Sequence, residues 1–312
     1  SHTCRALAAA GFLPVSFDNL SEGKKSRVQW GPLVEGDITN PAHLHAAFQQ
    51  HQPQAVMHFA AQISVPRSVS HPAETFATNT TGSLNLLQAM QQHKVGTIVF
   101  SSTAAVYGTP ESSPIAEDAP KHPINPYGHS KLMVETMLQT FATAHQFRSA
   151  ALRYFNAAGA TPEANLGYQR QTPFHLIPLA LQATLGQRPP LQLFGTDYPT
   201  PDGTAVRDYI HVTDLADAHV LALQHLLQAA PATTLALNLG TSQGHSVQQV
   251  LATCQKVTGQ PVPHTTAPRR AGDPAQLVAS SQKAQKILNW QPKNSSLENI
   301  IQTDWAWHQS LA

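Results

Sequence analysis

Apolar positions recur along the chain in two rhythms. Residues 13–17, 55–59, 97–100 and 150–154 are short, near-continuous apolar runs, the pattern of strands buried on both faces. Between them, residues 73–92 carry Phe76, Leu84, Leu87 and Met90 at helical spacing, and residues 127–145 behave likewise. Asn40 is placed to cap a helix that starts at Pro41 and runs through Phe48, while residues 34–38 resemble a strand end. Cys4, Leu7, Ala8 and Gly11 put the chain into a helix-like pattern almost at once.

Strands alternating with helices of this length predict crossover connections. The expected fold class is therefore α/β, a doubly wound, Rossmann-like parallel sheet with helices on both faces. The rhythm weakens after Gly159; residues 161–172 are turn-rich and residues 189–203 are rich in proline. A smaller C-terminal substrate domain is expected there. Residues 1–165 would form the dinucleotide-binding domain, and residues 166–312 mainly the substrate domain, with some segments returning to the first. In such sheets ligands bind beyond the carboxyl ends of the strands. Candidate positions are thus Asp18-Asn19, Asp37-Ile38, Phe59-Ala60-Ala61, Ser101-Ser102-Thr103 and Phe155-Asn156.

Composition narrows the function classes. With 12% charged residues and a formal net charge of +1, nothing electrostatic favours nucleic acid or an anionic membrane as partner. No apolar run approaches the ~18 residues of a membrane span. Cys4 and Cys254 form no CxxC pair, which suits a reducing cytoplasm. The 17 histidines include no HExxH pair, and His43 and His45 do not share a helix face, so solvated surface is expected rather than a metal site. Ser130 lies outside any nucleophile elbow, leaving a hydrolase without support.

The strongest constellation is Tyr127-Gly128-His129-Ser130-Lys131, one element after Ser101-Ser102-Thr103. Residues four apart share a helix face, so Tyr127 and Lys131 should project together. A phenol titrates near ~10, and a neighbouring ammonium is expected to lower that value and make Tyr127 a base. Thr103 could complete the hydrogen bonding to a substrate oxygen. On spacing alone a Tyr and a Lys four apart are commonplace.

The runs from Ser101 to Gly108, Asn125 to Lys131, Arg153 to Asn156 and Val206 to Val212 stand in one order, and together they resemble the extended short-chain dehydrogenase/reductases, among these the UDP-glucose 4-epimerase group. The resemblance covers essentially the whole chain. It implies bound NAD, a UDP-hexose substrate and a homodimer. Tyr127 would take the proton of the sugar 4-hydroxyl as hydride leaves C4, Lys131 would hold the nicotinamide ribose, and Thr103 would bond the oxygen at C4. It further implies that Asp18, Asn19, Asp37, Ile38, Phe59, Ala60, Ala61, Asn79 and Phe155 line the cofactor. Asn156, His175, Leu176, Phe194, Arg207, Arg270, Asp273 and Leu277 would line UDP-sugar, with Leu277 as a gate of intermediate bulk. An ion pair of Arg207 with Asp202, Asp208 or Asp214 is the competing reading, as is a solvated loop for Arg269-Arg270.

Rivals remain. Dehydratases of this kind place an Asp-Glu pair after the threonine, where this chain has Ala104-Ala105, and alanine moves no protons. Another UDP-sugar epimerase or a decarboxylase, a net oxidoreductase, and a catalytically silent binding protein stay open. The family opens with a strand and a glycine-rich turn that precede residues like Ser1-His2-Thr3. The expectation is an incomplete sequence, with a strand missing near the middle of the sheet and its neighbours unpaired.

Overall fold

A computed structural model describes residues 1–170, 173–270 and 273–311. Helix α1 (His2–Ala9) leads to a parallel pair, β1 (Ser16–Asp18) and β2 (Leu33–Glu35). Then come α2 (Pro41–His51), β3 (Val56–His58), α3 (Val65–Ser70), α4 (Pro72–Phe76), α5 (Gly82–Gln92), β4 (Thr97–Thr103), α6 (Pro126–His145) and β5 (Arg148–Tyr154). The remainder comprises β6 (Asn156–Ala158), α7 (Leu176–Thr184), β7 (Leu191–Phe194), β8 (Val206–Arg207), β9 (Tyr209–His211), α8 (Val212–Gln228) and β10 (Thr234–Leu239). It ends with β11 (His245–Ser246), α9 (Val247–Thr258), β12 (His264–Ala267), β13 (Gln276–Leu277), α10 (Gln282–Leu288) and α11 (Leu297–Ser310).

Four parallel strands make the principal sheet, in the order β10-β5-β4-β3. The two-residue period of β4 sorts its side chains between the two faces. Val99 joins Leu7 of α1 and Leu215 and Leu223 of α8 on one face. Ile98 and Phe100 join Leu44, Leu87, Met90, Val134 and Leu138 from α2, α5 and α6 on the other. This is the α/β, Rossmann-like architecture that the alternation implies. β1 and β2 form a sheet of their own, hydrogen-bonded to none of those four strands. Packing of Phe17 and Val56 against the same cluster joins the two sheets.

Beyond β5 the elements are short: the pairs β6–β9 and β7–β12, and the sheet β11-β8-β13. α7, α9 and α11 enclose a separate core around Ile177, Leu181, Val250 and Ile300. β10 and α8 return to the principal sheet. Within the second core α11 buries Asp304 and His308, 3.9 Å apart, and neither Asp304 oxygen nor His308 Nε2 has a hydrogen-bond partner among the described residues. Burial pushes the Asp304 carboxyl up to about 7.

Several expectations need correction. The first strand begins at Ser16 rather than at 13, because Leu13 is 95% exposed and Pro14 offers no N–H. β3 is not buried on both faces: Val56 and Met57 are half-buried, since β3 pairs with β4 alone. The helix expected over 73–92 is interrupted by a π-helical turn, Ala77–Thr81, which carries Asn79 into the interior. Nor are the histidines all solvated, for His58, His211, His219 and His308 are buried. The turn-rich stretch expected over 161–172 ends at Thr172, outside the described residues.

Candidate active site

α6 owes its position to local sequence. Asn125 caps it by accepting from the Gly128 N–H at 2.9 Å, and Pro126 occupies its first turn. Any Cβ on Gly128 would stand 2.6 Å from the Ala105 carbonyl oxygen, so only glycine lets the helix start rest on the turn that follows Thr103. Tyr127 and Thr103 thereby meet. Thr103 is buried at the end of β4, its hydroxyl accepting from the Ala105 N–H at 3.1 Å. One turn along α6, Lys131 is 3% exposed; its ammonium donates to the Ser101 carbonyl at 2.9 Å and lies 6.0 Å from the Tyr127 ring centre.

The electrostatics differ from expectation. Burial, then the nearby Tyr154 phenol, push Tyr127 well above the ordinary tyrosine range, while hydrogen bonding with Thr103 pulls it back. Burial lowers Lys131 to about 7. Burial thus outweighs any pull of the lysine on the phenol, its ammonium being turned to a backbone carbonyl.

A cleft of about 210 Å³ lies where Asp18 ends β1, lined also by Ser1, His2, Lys24, Arg27 and Gln169. Asp18 accepts from the Leu20 N–H at 2.7 Å through Oδ1 and keeps Oδ2 without a partner among the described residues. Asn19 donates to Asp37 at 2.8 Å, and Asp37 also accepts from the Thr39 hydroxyl and N–H. Those bonds, the Thr39 hydroxyl first and then Asn19, hold Asp37 below the usual carboxylate range. Small, accessible Ala60 and Ala61 follow β3, beside Phe59, which is 40% exposed. An acid at the end of β1, a helix start facing the same cleft and small residues after β3 fit an NAD dinucleotide, with Asp18 suited to ribose hydroxyls.

Two residues expected at the cofactor also hold the protein together. Ile38 turns its side chain into the core against Gly82, and its carbonyl accepts from Asn85 at 3.1 Å. Asn79 is buried, its amide bonded to the Gln62 backbone (2.7 and 3.0 Å) and to Ser130 (3.0 Å), and so shapes the loop after β3.

The rim of the cleft is tied across the chain. Arg27 donates to the Asn165 carbonyl at 3.0 Å and to Gln169 at 2.7 Å, with its guanidinium 4.4 Å over Trp307. Arg5 pairs with Glu163, and Arg170 with Glu22 at 2.7 Å.

On the substrate side, Arg207 on β8 donates to its neighbour's carbonyl at 2.8 Å and makes no carboxylate pair within 4.0 Å among the described residues. The expected rivals for it are engaged elsewhere. Asp202 holds Thr204 and Ser246, Asp208 holds Thr241, Ser242 and Ala279, and Asp214 holds Asn294 and Ser295. Leu277 stands opposite Arg207 in the β8–β13 register and packs with Phe155 near Val106 and Tyr107. Asn156 opens β6, its N–H on the Asp208 carbonyl at 3.0 Å. Arg270 stacks 3.9 Å over Phe194 and Arg269 pairs with Asp197, both from an exposed loop. Burial lowers the Arg207 guanidinium from its ordinary value, and the nearby Asp273 carboxylate offsets part of that. His175 occupies the position before α7, its ring between those of Tyr168 and Phe174 and making no capping bond, and burial lowers it to about 4.

Residues 1–240 match the sequence profile of the "NAD dependent epimerase/dehydratase family". The chain belongs to that family. It is 50% identical over its whole length to UDP-glucose 4-epimerase of Azospirillum brasilense, spanning 89% of that relative. The Brucella ovis UDP-glucose 4-epimerase structure in complex with NAD matches with a TM-score of 0.95 at 45% identity, over 97% of this chain and 93% of that one. The Stenotrophomonas maltophila UDP-glucose 4-epimerase, with bound NAD and formylated UDP-arabinopyranose, gives 0.95 at 40% identity over 99% and 94%.

Three further residues, not singled out from the sequence, adjoin the site. Tyr154 stands beside Tyr127, its hydroxyl hydrogen-bonded to Ser101 Oγ. Glu135 of α6 and Arg153 of β5 form a buried pair. The helical spacing of Glu135 from Lys131 was a usable signal; Arg153 carried none beyond its place in the resemblance.

Proposed function

We propose that the protein interconverts UDP-galactose and UDP-glucose at C4 with bound NAD. The observation that carries this reading is the meeting of Tyr127, Lys131 and Thr103 at the carboxyl end of β4, followed by Ala104-Ala105 instead of an acid–base pair. Tyr127 accepts the 4-hydroxyl proton and returns it after the 4-keto sugar has turned over. Thr103 bonds the oxygen at C4, and Lys131 holds the cofactor ribose. Bound NAD supplies a reversible hydride acceptor and a positive charge that favours the Tyr127 phenolate. Arg207 and Arg270 take the diphosphate, for which planar guanidinium forks are well suited. Asn156, Phe194, Asp273, His175 and Leu176 complete the UDP-sugar side, and Asp18, Asn19 and Phe59 to Ala61 the cofactor side.

The division into a dinucleotide domain over 1–165 and a mainly substrate-binding remainder belongs to the same reading. So does a homodimer through α3 and α6, which touch and carry exposed Val65, Val69 and Met133. No helix among the described residues is long and apolar enough to cross a membrane. Free Cys4 and Cys254 suit the cytoplasm.

Incubation of the purified protein with UDP-galactose, and separately with UDP-N-acetylgalactosamine, tests the proposal. UDP-glucose should form without release of free NADH. Product absent, or stoichiometric NADH in solution, would overturn it; the second sugar reads the width left by Leu277.

A further inference from the structure

We propose that Glu135, clamped between Ser102 and Arg153, is a positioning residue that fixes Tyr127 and Lys131 on α6 against Thr103 on β4. The inference rests on the functional reading above and extends it to a residue outside the cleft. Glu135 is 5% exposed and Arg153 1%. Arg153 donates from Nε to Glu135 Oε1 at 2.9 Å and from Nη2 to Oε2 at 2.5 Å, a two-pronged bond that sets direction as well as distance. Ser102 donates to Oε1 at 2.5 Å.

The placement of these three residues gives the pair its meaning. Ser102 and Arg153 are partners in the β4–β5 register, so Glu135 sits across two adjacent strand ends at once. Ser102 precedes Thr103, and Arg153 precedes Tyr154. Glu135 follows Lys131 by four residues and Tyr127 by eight, all on one helix face. Three contacts join this helix face to the end of β4: Thr103 meets Tyr127, the Ser101 carbonyl accepts from Lys131, and Ser102 donates to Glu135. Farther out, Arg153 Nη1 donates to the Tyr107 hydroxyl at 2.8 Å, which donates to Asn238 at 2.7 Å on β10. The pair thus braces α6 against three strands of the sheet.

Stability alone is a poor reason for such a pair, because desolvating two charges offsets most of their attraction and an apolar filling would serve as well. Direction is what an apolar filling lacks. Reacting groups displaced by about 1 Å lose on the order of a hundredfold in rate, so a helix free to slide would forfeit much of what Tyr127 contributes.

Glu135→Gln keeps the side-chain shape but cancels the charge and one acceptor. In purified, NAD-containing protein, kcat with UDP-galactose should fall about 10- to 100-fold while KM stays within about threefold and NAD content is unchanged. Ser102→Ala leaves the ion pair in place; kcat should fall about threefold with little change in thermal midpoint. A Gln variant with kcat within about twofold of the parent overturns the proposal. So does a loss of activity that only tracks loss of folded, NAD-loaded protein while Ser102→Ala retains full kcat. Should the Gln variant fail to fold, Ser102→Ala decides alone, and parental kcat there refutes the role. Fluorotyrosine at position 127, its fluorine resonance assigned by loss in Tyr127→Phe, separates the two readings. A resonance that moves in Ser102→Ala while the parent is inert toward UDP-galactose sinks the functional reading only; a resonance that does not move sinks the positioning role.

Discussion

Replacing Asp304 by asparagine should stabilise the protein, and increasingly so as pH rises. Asp304 is 1% exposed on α11, with both oxygens unpartnered and only His308, itself lowered by burial, at 3.9 Å. Buried Cys254, raised to about 12 by burial and then by Asp304, cannot compensate the charge. In the unfolded chain the carboxyl loses its proton near 3.8; in the native protein it does so near about 7. Between those values the unfolded state binds fewer protons than the native one, so stability falls as pH rises, by about 1.4 kcal/mol per pH unit. The interval spans roughly three units, which sets an upper bound of about 4 kcal/mol; relaxation and water entry reduce it to about 2–4 kcal/mol. Asparagine carries no proton to lose, so Asp304→Asn should match the parent at about pH 4 and exceed it by that margin at about pH 8. Urea unfolding of both proteins across this range measures the gap. A gap independent of pH would refute the reasoning. A variant that becomes less stable at alkaline pH would refute it too, since that result means an ionised Asp304 paired with a charged His308.

Three further perturbations address the site. Tyr127→Phe should cut kcat by about a thousandfold with NAD still bound, and a loss under tenfold would remove the phenol from the proton transfer. Arg207→Met should weaken UDP binding by about 10- to 100-fold, read by calorimetry with UDP alone; unchanged affinity would place the diphosphate elsewhere. Arg27→Ala removes two hydrogen bonds and the stacking on Trp307, so bound NAD should escape about tenfold faster during dilution, against an unchanged release rate if the rim has no part in retention.

The parts of the molecule most legible in the sequence were those set by local chemistry. Asn125 and Pro126 mark the start of α6, and helical spacing puts Tyr127 and Lys131 on one face. Buried strands β4 and β5 announced themselves as apolar runs. Burial and competing hydrogen bonds were not legible. The π turn that carries Asn79 inward, its amide bonded to Gln62 and Ser130, leaves no mark in the sequence. Nor does the room that Gly82 leaves in the core for the Ile38 side chain. Spacing along a helix shows neither where the Lys131 ammonium points nor how deeply Tyr127 is buried. His219 was assigned to solvent on composition, yet it lies buried between Phe59 and Tyr154.

The ties along the cleft rim join residues far apart in the chain: His2 to Leu166, Arg5 to Glu163, Arg27 to Asn165 and Gln169. Contacts of such high order close long loops at an entropic cost and form late in folding. The cleft proposed for the cofactor is therefore closed by segments that no single stretch of chain supplies. A dinucleotide that recognises only the finished seat would act as a thermodynamic lock on both ends of the fold, so adding NAD should slow hydrogen exchange in β1 and in the 161–170 segment together.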